Sequence, residues 1–123
     1  MRTKILKLSN ASEYCLFFNI AAMLELQSEY GEDWTAAIAK YDALFRAAEI
    51  LSRQGELYRR RSGEEPSEML TAAAIKESCS PADIPLIKSA VMEAVLIGFG
   101  REIADESETD IGLASLNKKK EEA

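Results

Sequence analysis

The chain has 123 residues, 47% of them hydrophobic and 29% charged, with a net charge of −6 and no histidine. That length and balance fit one globular domain with a single core and exclude disorder of the whole chain. The acidic balance argues against a duplex-binding surface, which needs clustered cations to displace counterions. Residues 2–8 and 13–18 read as two short strands of a hairpin. Ser9-Asn10-Ala11-Ser12 supplies turn chemistry between them, and Tyr14 to Phe18 is rich in β-formers. A hairpin of this size is marginal alone, so it must lie on helices.

A first helix is expected over 20–30, capped by Asn19 and stopped by Gly31. Ile20, Met23, Leu24 and Gln27 form its expected inward stripe, with Glu25 and Glu29 solvated on the other side. Asp33 is placed to cap a second helix from 34, in which Trp34, Ala37, Ile38 and Tyr41 share a face. The third and longest helix carries Leu44, Ala48, Leu51, Gly55 and Tyr58 at alternating steps of four and three. Arg46, Glu49, Arg53 and Glu56 lie off that stripe, and Ser62-Gly63-Glu64-Glu65-Pro66 ends the helix.

Thr71 caps a short helix over 72–79, which carries Ile75 and Cys79. Ser80-Pro81-Ala82-Asp83 resembles a capping box that opens the last helix. Ile84, Ile87, Val91 and Val95 form its inward stripe, and Gly98 and Gly100 fray its end. Residues 1–103 thus make a mostly α domain of four to five helices with an N-terminal hairpin packed on it. Residues 104–123 read as a flexible acidic and lysine-bearing tail. Within the tail, Ile111, Leu113 and Leu116 are apolar enough for a helical turn or for docking onto a partner.

Chemistry is hard to place. With no histidine the commonest general base is absent, and no motif sets a lysine or carboxylate beside a nucleophile. Gly98-Phe99-Gly100 lacks the spacing of a phosphate loop, and the carboxylate pairs Glu25/Glu29 and Glu64/Glu65 do not match a calcium loop. Cys15 and Cys79 have no metal-ligand spacing and sit among apolar neighbours, where a thiol acts as a small hydrophobe; a reducing compartment is the expectation, with a disulfide as the alternative. The clusters Arg59-Arg60-Arg61 and Lys118-Lys119-Lys120 lie beside acids and read as solvated charge. No enzyme activity, cofactor or metal is therefore expected. The N-terminus lacks the apolar run of a signal peptide and no stretch suits a membrane span, so a cytoplasmic location is expected. What remains is surplus apolar surface. Phe17, Phe18, Trp34 and Tyr41 are the candidate contacts for a partner protein, because aromatic side chains dominate docking surfaces; the alternative is that they fill the core between hairpin and helices, and both hold if some face inward and others form a groove.

Three segments carry a family resemblance. Cys15-Leu16-Phe17-Phe18-Asn19-Ile20, continuing through Glu25 to Tyr30-Gly31, resembles the opening of tail assembly chaperones of long-tailed bacteriophages and prophages. Gln54-Gly55-Glu56-Leu57-Tyr58-Arg59-Arg60, running into the Pro66 loop, and Ser80-Pro81-Ala82-Asp83-Ile84-Pro85 extend the likeness over roughly 15–101. The resemblance implies a non-catalytic protein that holds the tape-measure protein while tail-tube subunits polymerise around it. It makes the tape-measure protein the expected partner, the tail-tube protein a further candidate, and leaves self-association open. It also implies a longer frameshifted product where an adenine run encodes Lys118 to Lys120. Another phage- or prophage-encoded adaptor or regulator, without a DNA-binding helix, is the alternative.

Overall fold

The computed structural model describes residues 2–101. The order along the chain is β1 (Lys4–Lys7), β2 (Glu13–Leu16), α1 (Ile20–Tyr30), α2 (Trp34–Ala37), α3 (Tyr41–Arg61), α4 (Ala72–Ser78), a 3-10 turn (Pro81–Asp83) and α5 (Ile84–Gly98). The fold is the expected helical domain with an N-terminal hairpin against it. The expected tail, its apolar residues Ile111, Leu113 and Leu116, and Lys118 to Lys120 lie outside the described residues.

The hairpin is antiparallel, pairing Lys4 with Leu16, Ile5 with Cys15, Leu6 with Tyr14 and Lys7 with Glu13. Alternation sends Leu6, Leu8 and Leu16 into the core. The ladder is shorter than the two expected strands, because Phe17 and Phe18 leave it to meet the helices. β2 lies along α3 and β1 along α5. The amide of Phe17 donates to the Leu51 carbonyl of α3 at 3.1 Å. This approach needs Gly55, since a Cβ there would lie 1.8 Å from the Cys15 carbonyl oxygen. At the hairpin turn the Ser9 amide donates to Asp83 Oδ1 at 3.0 Å, and Asp83 Oδ2 accepts from the Ser80 amide. Those bonds hold the buried Asp83 carboxyl below the usual range, against its burial.

α3 is the spine. Its expected stripe is buried at Leu44, Ala48, Leu51 and Gly55, and Ala43, Ala47 and Ile50 widen it. Tyr41 belongs to α3 and not to the second helix, which ends after one turn at Ala37. Both α3 and α5 close in a Schellman arrangement. Gly63 donates to Arg60 and Glu64 to Arg59, while Gly100 donates to Ile97 and Arg101 to Leu96. The end of α5 is therefore tied off where fraying was expected. Ile84, expected on the inward stripe of α5, is only half-buried, whereas Ile87, Val91 and Val95 are buried. Glu93 on the same helix is buried too and meets Lys4 Nζ at 2.7 Å.

Two sequence expectations about charge are corrected. Glu56 is buried and far from solvated. Its carboxylate accepts from Arg59, from Arg60, and from both the amide and hydroxyl of Ser67, so the Arg59–Arg60 cluster is a clamp. Burial opposes that charge, but these donors outweigh it and hold Glu56 down to about 2. One and two turns earlier, Ser52 Oγ accepts from the Leu70 amide and Glu49 Oε1 from the Ala72 amide. Three acceptors spaced 49, 52, 56 thus bind the returning chain along one flank of α3. Glu25 and Glu29 are likewise paired: Arg53 reaches Glu25 at 2.8 Å and Arg46 reaches Glu29 at 2.6 Å.

Candidate functional site

Those ion pairs set the roll of α1. With Glu25 and Glu29 turned toward α3, the buried positions of α1 are Ala22 and Leu26. The expected inward stripe is therefore wrong: Ile20 is 72% and Leu24 54% exposed, and Met23 is half-buried. Ile20 and Leu24 are one turn apart and form an apolar strip on the outer face. Asn19 fixes the start of the helix. Its Oδ1 accepts from the Ala22 amide at 2.9 Å, and its Nδ2 donates to Gln54 Oε1 of α3 at 3.0 Å.

The strip borders a groove of about 500 Å³ between the start of α1 and the end of α5. Phe17, Ile20 and Met23 line one side and Ile97, Gly98 and Phe99 the other, with Phe18 and Asn19 at the junction and Arg2 as the cation. Gly98 lets α5 press onto Phe18, since a Cβ there would lie 2.4 Å from the Phe18 ring and carbonyl. Phe99, held by the Schellman turn, is 57% exposed. Its ring lies 5.2 Å from Phe18 and 6.5 Å from Trp34, and Phe18 and Trp34 are 5.4 Å apart. The exposed face of Phe99 is thus the outer layer of a packed aromatic cluster.

The four candidate contacts separate. Phe17 and Phe18 line the groove, although Phe18 is buried and forms part of its base. Phe17 also packs on Tyr58, with ring centroids 5.0 Å apart. Trp34 is buried behind Phe99 and does not line the groove. Tyr41 lies elsewhere, 58% exposed and stacked on Phe45, beside a second depression formed with Tyr30, Ala37 and Lys40. Sequence reasoning missed Ile20, Leu24, Met23 and Phe99. The signal for the first three was present: Glu25 and Glu29 on one helix match Arg46 and Arg53 on another, which fixes the opposite face outward.

Among the described residues, no group of three or more cysteine or acidic side chains is placed to hold a metal ion. Cys15 and Cys79 are free, and burial pushes both thiols up, away from the reactive thiolate. Comparison with protein-family models, with curated proteins and with solved structures yields no match to this chain. No helix among the described residues is long and apolar enough to cross a membrane.

Proposed function

We propose that this chain is a non-catalytic protein-binding module acting as a phage or prophage tail assembly chaperone in the bacterial cytoplasm. Its α1–α5 groove takes apolar segments of the tape-measure protein while tail-tube subunits assemble. The observation that carries the reading is the exposure of Ile20 and Phe99 at an apolar groove, with exposed Leu24 one turn along α1 from Ile20 and with Phe18 and Trp34 packed against Phe99. Single exposed apolar residues such as Ile5 and Leu86 are ordinary, but exposed apolar side chains gathered at one groove mark an interaction site. A long helical partner with apolar side chains at steps of three and four matches such a groove in the helix-in-groove mode. The net charge of −6 keeps many copies from precipitating while that surface is open.

Co-expression with a tape-measure fragment tests the proposal. The fragment is expected to become soluble and co-purify with the wild-type chain, and Ile20→Asp combined with Leu24→Asp should weaken binding at least about tenfold. A fragment that stays equally insoluble with and without the chain overturns the reading.

A further inference from the structure

The groove opens where the described chain ends. Ile97, Gly98 and Phe99 form one of its sides, and the chain leaves that side through the Gly100–Arg101 turn. Residues 102–110 follow with five carboxylates, Glu102, Asp105, Glu106, Glu108 and Asp110, and no cation. The aliphatic residues Ile111, Leu113 and Leu116 come next. Arg2 is the charged side chain among the described residues lining the groove, and no acid accompanies it there.

We infer that Ile111, Leu113 and Leu116 occupy the α1–α5 groove of their own chain, with the acidic stretch before them passing Arg2. Two observations favour this occupant over a second copy. The first is reach: nine extended residues span about 30 Å, ample to return from Arg101 to a groove that begins at Phe99. A segment tethered so close is held at an effective concentration near the millimolar range, far above that of a second chain in dilute solution. The second is charge: an anionic tether beside Arg2 is attracted, whereas two copies of a chain of net charge −6 repel. Bound in this way, the tail shields Ile20 and Phe99 from water. Resting on the function proposed above, it yields to a tape-measure segment that buries more apolar surface.

The test uses the full chain with no partner present, so it stands or falls apart from the chaperone reading. Leu113→Asp with Leu116→Asp removes the apolar contacts outside the described fold. Backbone amide NMR is expected to show the Ile20, Met23 and Phe99 resonances moving in this variant, while those of Ser9 and Ser67 stay in place. Emission from Trp34, packed behind Phe99, should shift alongside. The wild-type spectrum should be unchanged on tenfold dilution, as an intrachain contact requires. Groove resonances that do not respond to the double substitution overturn the inference. So does a wild-type spectrum that moves toward the variant's on dilution, which would make a second copy the occupant.

Discussion

The two flanks of this small domain solve opposite problems. Along α3, the acceptors Glu49, Ser52 and Glu56 meet the amides of Ala72, Leu70 and Ser67, so the chain covers its own polar groups. At the groove between α1 and α5, by contrast, Ile20 and Phe99 remain open among the described residues. A buried carboxylate left without donors costs far more than an isoleucine left wet. Folding must therefore complete the first flank, whereas the second can stay unfinished. Exposed apolar surface is the feature that stability does not explain.

The sharpest way to break this comparison is at the boundary between groove and core. Trp34 sits behind Phe99, buried against Phe18. Trp34→Ala is expected to destabilise the fold by about 3–5 kcal/mol, read as a drop in the urea midpoint. A midpoint that barely moves would return Trp34 to the partner surface. Next in size is Gly55→Ala. The added methyl would drive into the Cys15 carbonyl and push β2 off α3, at a cost of about 3 kcal/mol. The Ser9 amide, anchored on Asp83, should then lose hydrogen-exchange protection.

Glu56 probes the finished flank. Glu56→Gln keeps the shape but removes the charge that four donor groups converge on, and should cost about 2 kcal/mol near neutral pH. The folded carboxyl titrates near 2, below the ordinary glutamate value of about 4.3 in the unfolded chain. Its contribution is therefore complete above about pH 5 and is lost as pH falls toward 2. The stability gap between wild type and Glu56→Gln should narrow over that range. A gap that stays constant from pH 6 to 3 would show that the clamp does not depend on the carboxylate charge.

The contrast between the flanks also explains what the sequence disclosed. Helix starts were legible where capping is local: Asn19, Thr71 and the Ser80–Asp83 segment act within three residues of themselves, whereas the expected Asp33 cap makes no side-chain hydrogen bond. The stripe of α3 was legible because its apolar period admits one orientation. α1 was not, since Ile20-Met23-Leu24 and Ala22-Leu26 are both apolar stripes. The choice between them rests on Arg46 and Arg53, which lie 17 and 28 residues along the chain from Glu29 and Glu25. Glu56 was misread for a similar reason, because its partner Ser67 lies beyond a turn that a helical wheel does not see. Phe17 and Phe18 were found through their aromatic character. Phe99 was passed over because the glycines on either side read only as a helix end.

The smallest effect on stability separates the two flanks most cleanly. Ile20 is the first residue of α1, directly after the Asn19 cap, and the first turn carries no acid. The free amides of a helix start favour a negative charge by about 0.3–1 kcal/mol. Ile20→Asp should therefore leave stability unchanged or raise it by about 0.5 kcal/mol, although an isoleucine is being removed. In the same variant, binding of a tape-measure fragment should fall. The combination matters because a core residue cannot show it: losing a buried isoleucine lowers stability and binding together. If chemical denaturation finds Ile20→Asp destabilised by more than about 1.5 kcal/mol, Ile20 is packed among the helices of the described domain and the groove is part of the core. With stability held and binding lost, the isoleucine at a position suited to an acid is explained by what it touches outside the fold.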